Sequence, residues 1–304
     1  MKTRTMRKGV CSALALVNLV PGVARATENG NTSYPIGVNT VLNGLLPAPG
    51  TTRFFNYTLH YEADRFAGPD GASTIPAFKA KVAVDALRLV HTWETPIAGV
   101  AVSSGAIVPL YHVDLSVPGA SGGKNGVGDI TLQPLMFNFA NASRSFVAYA
   151  SPFDLAVPNG AYSRKRVANP GANVYAWEPS VYATWFPSPG LEISTMGMIE
   201  VHSKNDDTGY RSGAVAMFEY MGGYSLTPTL QLGVQGYVLK QFTDDKLNGE
   251  RYLDGFRGRV VAVGPQLRYE VLPGVGFVVK FQKEHSARNR PQGRRLWLQF
   301  SMAL

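Results

Sequence analysis

The last nine residues, Leu296-Trp297-Leu298-Gln299-Phe300-Ser301-Met302-Ala303-Leu304, decide the fold. Leu296, Leu298, Phe300, Met302 and Leu304 share one parity, and Trp297, Gln299, Ser301 and Ala303 share the other. Successive side chains of a strand point to opposite faces, so the alternation builds one strongly apolar face. The pattern repeats upstream. Phe277, Val279 and Phe281 alternate with Val278, Lys280 and Gln282, and Leu230, Leu232 and Val234 alternate with Gln231, Gly233 and Gln235.

Carried along the chain, period two predicts 12 strands, over 52–63, 79–93, 99–113, 128–140, 145–157, 172–186, 190–203, 212–226, 229–243, 257–272, 275–287 and 293–304. Pro109, Pro134 and Pro152 fall inside three of them and predict bulges or strand ends, because proline cannot donate to a ladder. The predicted connections alternate in length. Long polar or Gly-rich ones fall near 64–78, 114–127, 158–171, 204–211 and 244–256. Short ones with Pro or Gly turn chemistry fall near 94–98, 141–144, 187–189, 227–228 and 273–274. Short turns at one end, longer loops at the other and an even strand number are the pattern of a bacterial outer-membrane barrel with both termini in the periplasm. The predicted fold class is therefore all-β, a transmembrane antiparallel up-and-down β-barrel.

The N-terminus predicts the route. Lys2, Arg4, Arg7 and Lys8 precede an apolar run from Val10 to Val20, and Ala24-Arg25-Ala26 supplies a small-residue cleavage site. These three parts in this order make a secretory signal over 1–26. Five basic residues and no acid lie in it, so its removal lowers the formal charge from +8 to +3 and takes away the apparent basicity that would favour a nucleic-acid partner. Cys11 is the single cysteine and leaves with the signal, so the mature chain needs no disulfide framework. No apolar run after the signal reaches the roughly 20 residues of a membrane-spanning helix. Residues 27–50, broken by Gly and Pro, are predicted to be a periplasmic segment or a plug that folds back into the lumen through Tyr34, Pro35, Leu45, Leu46 and Pro47. The barrel then covers 51–304.

Tyr175, Trp177 and Trp185 are predicted to belong to an aromatic girdle. Tyr175 and Trp185 are ten residues apart. At about 3.3 Å per residue and a tilt near 45° that separation spans about 23 Å, close to the roughly 25 Å apolar band. Arg or Lys at the lipid-facing midplane costs about 2–4 kcal/mol. Charged residues on the strands, among them Glu178, Glu192, Glu219 and Arg295, are therefore expected in the lumen. The expected lining set is His60, Tyr182, Glu200, Arg268, Glu270, Lys280 and Glu284.

Catalytic and metal readings find little support. His202-Ser203 and His285-Ser286 are adjacent pairs, and adjacent residues of a strand face opposite sides, so neither forms a nucleophile and its base. Asp206-Asp207 and Asp244-Asp245 lack the spaced oxygen ligands of a calcium loop. Residues 122–126 are rich in glycine without the spacing of a phosphate loop. No cofactor is expected. Arg164-Lys165-Arg166, with Arg288, Arg290, Arg294 and Arg295, lies toward the long-loop end, where arginine can pair with lipopolysaccharide phosphates.

Several stretches taken in order carry a family resemblance: residues 28–37 with Leu46-Pro47-Ala48-Pro49-Gly50, Gly126-Val127-Gly128-Asp129, Pro158-Asn159-Gly160-Ala161-Tyr162, residues 205–213, and Val263-Gly264-Pro265-Gln266. Together they resemble the outer-membrane family named for the meta pathway of phenol degradation, described as transporters. The resemblance covers nearly the whole mature chain. It implies a barrel that admits small aromatic or other hydrophobic compounds, with no established catalytic residues. The chain departs from barrels generally in ending on Leu304 rather than an aromatic residue; Phe300 supplies part of the signal read by the barrel assembly machinery. The expected function is an outer-membrane channel for small organic solutes in contact with lipid and lipopolysaccharide. The alternatives are a lipid-modifying hydrolase and a structural or adhesive surface barrel with a closed lumen.

Overall fold

The computed structural model describes residues 32–304; the predicted signal peptide and residues 27–31 lie outside the described residues. Strand alternation resolves into a ring. The twelve barrel strands are Thr52–Ala67, Lys79–Thr92, Val102–Val117, the fourth in two parts (Ala120–Val127 and Ile130–Ala140), the fifth in two parts (Phe146–Ser151 and Leu155–Val157), the sixth in two parts (Ala176–Trp177 and Ser180–Ser188), Leu191–His202, Val215–Ser225, Leu230–Gln241, Arg259–Leu272, Val275–Arg288 and Arg290–Ala303. Each pairs antiparallel with its neighbours in sequence. The first closes on the last, with Leu59 opposite Trp297 on one side and opposite Val84 on the other. Closure removes the free edge between the first and last strands, the condition for a sheet to sit in lipid, while the outer arm Ala120–Val127 pairs with the third strand alone. The first strand begins and the last strand ends at the short-turn end, where the Leu304 amide donates to the Thr52 carbonyl (2.9 Å).

Period two sets the two surfaces. Leu232, Val234, Val263, Leu267, Val279, Phe281, Leu296 and Leu298 are exposed on the outside. Gln235, Gln266, Lys280, Gln282 and Glu284, on the opposite parity, are buried inside. This polarity, apolar outward and polar inward, is that of an outer-membrane barrel. Tyr175, Trp177 and Trp185 are exposed on the outer surface.

Four features differ from the sequence expectation. Residues 114–127 are not a loop: Val117 pairs with Ala120 around Pro118-Gly119, Gly119 takes φ +79, and the ladder continues to Leu110 opposite Val127. The outer connection at Asn289 is likewise tight, with φ +49 there. The strand predicted over 172–186 starts only at Ala176 and is interrupted at Pro179; its neighbour is interrupted after Ser151 at Pro152, as its sequence predicts. In both cases a missing amide donor breaks the ladder. Pro134 sits at a register shift opposite Ser103 and Gly105, the bulge its sequence predicts.

The fourth difference is His60. It is exposed on the outer face and faces Glu62 at 3.1 Å, instead of lining the lumen. On the first strand Tyr57, Leu59 and Tyr61 are the buried, inward set. The reason is register: Leu59 and Tyr61 stand opposite Trp297 and Arg295, which are inside, so His60 shares a face with outward Leu296. The same outer face carries Asn56 and Thr58, whose side chains donate to Asp85 Oδ1 at 2.6 and 3.2 Å.

Candidate functional site

The inward parity of the seventh to twelfth strands projects a column of polar side chains, and the chain's own N-terminal segment occupies it. From Gly50, whose amide donates to the Thr92 carbonyl (2.8 Å), the segment climbs inside the wall to Thr32. Its lowest anchor is Thr92 Oγ1 donating to the Pro47 carbonyl (2.8 Å). Above it, Gly44 N donates to Thr184 Oγ1 (2.9 Å) and Leu42 N to Glu192 Oε1 (2.7 Å). Lys280 Nζ then donates to the Val38 carbonyl (2.7 Å) and Thr40 Oγ1 (2.8 Å), and Gln299 donates to the same carbonyl (2.7 Å).

Glu219 is the central acceptor. It takes Tyr34 Oη (2.9 Å) and the amides of Gly37 (2.6 Å) and Asn39 (2.7 Å). Glu200 takes the amides of Ser33 and Tyr34, both at 2.9 Å. The segment is irregular, so its backbone groups have no ladder of their own, and these wall side chains satisfy them. Fit is tight as well as polar. Gly37 has φ +94, and a Cβ there would lie 2.4 Å from Gln282 Oε1; a Cβ on Gly44 would lie 2.1 Å from the Val147 carbonyl oxygen. Tyr34, Ile36 and Val38 are buried, Pro35, Leu46 and Pro47 are half-buried, and Leu45 is exposed.

Higher in the lumen, Glu284 accepts from Tyr61 (3.0 Å) and from Tyr237, and Arg295 lies 3.3 Å from it. The Arg295 guanidinium covers the Tyr61 ring at 4.8 Å and the Tyr237 ring at 5.4 Å. These charges are buried, but each is neutralised and hydrogen-bonded in place. Arg268 approaches Glu192 at 4.0 Å and stays partly exposed. Glu270 accepts from the Gly274 amide (3.0 Å) at the short-turn rim.

The first six strands leave space beside the segment. An open cleft, with about 680 Å³ of empty space that includes open solvent, lies between Tyr34, Pro35 and Val38 on one side and Tyr57, Ile107, Tyr111, Tyr182 and Trp297 on the other. Tyr182 stacks on Tyr149 at 4.3 Å. Arg88, Gln133, Asp129, Asp154 and Glu178 add polar groups to the wall. Arg88 donates to Gln133 (2.8 Å), and Gln133 donates to Asp154 (2.7 Å). The lining is thus aromatic and aliphatic with a few fixed polar groups, the usual constitution of a small-molecule site.

Of the residues expected to line the lumen, the structure brings Glu200 and Lys280 onto the N-terminal segment, puts Tyr182 in the cavity wall and Glu284 in the clasp with Arg295, and leaves Arg268 and Glu270 near the lower rim. Tyr57, Arg88, Tyr111 and Trp297 were missing from that set. Alternation alone could have flagged Arg88, an isolated charge between Leu87 and Leu89. His202 turns inward to Glu200, whereas Ser203 Oγ accepts from the Tyr175 amide (2.9 Å), so this pair does not meet.

A family model described as "Putative MetA-pathway of phenol degradation" matches residues 63–300. Among solved structures, the chain is similar to an outer membrane channel from Pseudomonas putida F1, with a TM-score of 0.77 and 20% identity over 88% of this chain and 100% of that one. It also resembles the β domain of the Bordetella autotransporter BrkA, with a TM-score of 0.53 and 11% identity over 84% of this chain and 100% of that one. The comparison with curated protein sequences finds no match.

Proposed function

The chain belongs to this phenol-degradation family, and on that premise we propose that it is an outer-membrane channel for small aromatic or apolar organic compounds, closed at rest by residues 27–50. The observation that carries the reading is the aromatic-lined cavity running beside a segment held by hydrogen bonds. The wall carboxylates and the Lys280 ammonium are buried while the segment is seated, and they can replace those bonds with water when it leaves, which offsets part of the cost of exposing Tyr34, Ile36 and Val38. Weak successive contacts with Tyr57, Tyr111 and Tyr182 suit conduction, which needs exit as well as uptake. Glu200, Arg268, Glu270, Lys280 and Glu284 supply the polar side of the path. Arg164 and Lys165 are exposed at the outer end and suit lipopolysaccharide phosphates. Arg290 and Arg295 are buried and do not.

A second reading, a structural barrel with a permanently closed lumen, is favoured by how completely wall groups satisfy the segment. One experiment separates the two. Protein lacking 27–50 is refolded, and single-channel conductance is recorded in planar bilayers. The channel reading expects larger and more frequent openings than wild type, and aromatic solutes that modulate the current. Unchanged conductance would remove the plug, and a current insensitive to every aromatic solute would remove the aromatic channel.

A further inference from the structure

One wall group of the cavity lacks what its neighbours have. Asp129 accepts the amides of Gly160 (2.8 Å) and Ala172 (2.6 Å). Asp154 accepts from Gln133 (2.7 Å) and Ser151. Glu178 also lines the cavity and is only 2% exposed, but its Oε1 is buried with no hydrogen-bond partner among the described residues. Its own amide is fixed to the Asp154 carbonyl (2.9 Å), in the break that Pro179 makes in the sixth strand, so the backbone that carries the carboxyl is tied.

A buried acceptor without a donor costs about 1–3 kcal/mol, and a ligand that supplies the donor recovers it. The same cavity is lined by Tyr111, Tyr182 and Met198, surfaces for a flat apolar ring. Asp129 and Asp154 beside Glu178 outnumber Arg88, which disfavours an anionic ring substituent. We infer that Glu178 is a specificity-determining residue that accepts the hydroxyl hydrogen of a small neutral aromatic solute seated in this cavity. It selects hydroxylated rings over ethers and hydrocarbons of the same shape. The site rests on the aromatic-channel reading and assigns that reading a recognition group.

The test is calorimetric titration of refolded full-length protein in detergent, with phenol and with its methyl ether anisole, subtracting micelle blanks. Wild type is expected to bind phenol about tenfold more tightly than anisole. Glu178→Leu should erase the difference, while Glu178→Gln, which keeps a carbonyl acceptor, should retain most of it. Heat-modifiable gel mobility reports whether each variant has folded. If Glu178→Leu fails to fold, the phenol-to-anisole ratio of wild type and Glu178→Gln still decides. Equal binding of both solutes by wild type overturns the subsite and leaves the channel intact, as does a preference that survives in Glu178→Leu. Binding of neither solute overturns the subsite and the aromatic channel together.

Discussion

Replacing Glu219 with alanine should release the N-terminal segment from the lumen. The carboxylate accepts Tyr34 Oη and the amides of Gly37 and Asn39, at 2.9, 2.6 and 2.7 Å. Truncation leaves the two amides without acceptors inside the barrel. Each stranded buried donor costs about 1–3 kcal/mol, so the seated state loses about 2–6 kcal/mol. Water that follows the lost side chain into the lumen favours the lower end, and about 2 kcal/mol is a factor of roughly 30 in the seated-to-released ratio. The wall should survive, because Glu219 pairs through its backbone with Met196 and Tyr237 and these ladder bonds are untouched. The assay is single-channel recording in planar bilayers on wild type, Glu219→Ala and Glu219→Gln. Open probability should rise by roughly 30-fold in the alanine variant, up to saturation. The glutamine variant, with one acceptor oxygen, should fall between. An alanine variant that folds, by heat-modifiable mobility, and gates like wild type would refute the argument that wall carboxylates hold the segment.

Two further predictions concern the barrel itself. Val181 is exposed on the outer face midway between Trp177 and Trp185, so Val181→Arg should destabilise the folded state by about 2–4 kcal/mol, measured by guanidinium-dependent refolding into lipid vesicles. A loss below about 0.5 kcal/mol would place this face outside the apolar band. Glu284→Ala removes the acceptor of Tyr61 and Tyr237 and leaves Arg295 buried without its partner, and should cost about 3–5 kcal/mol in the same titration. Glu284→Ala combined with Arg295→Met should recover part of that loss, and a double variant weaker than the single one would contradict it.

The phase of one strand shows where sequence reading reached its limit. On the last strand, apolar Leu296 and Leu298 face outward and polar Gln299 inward, so composition fixes both period and phase, though Trp297 is also inside. On the first strand the period is as clear, but Tyr57, Leu59 and Tyr61 point inward and Thr58, His60 and Glu62 outward. There the inward side is the more apolar one, because the cavity wall is aromatic, so the usual rule assigns the faces wrongly and His60 goes to the wrong one. Only pairing with the last strand settles it, because residues directly opposite share a face.

The N-terminal segment was legible as something other than a strand, through its glycines and prolines. Its path was not. Nothing in Tyr34 or Gly37 points to Glu219, 182 residues beyond Gly37, until closure of the ring brings the wall around the segment. The sequence by itself determined the strand number, the sorted turns and the apolar belt, because these follow from local alternation and from what lipid excludes. The tertiary structure decided which carboxylates clasp the segment, which one faces the cavity without a donor, and which histidine stands outside. Those depend on register and on contacts between residues far apart in sequence, which local periodicity does not encode.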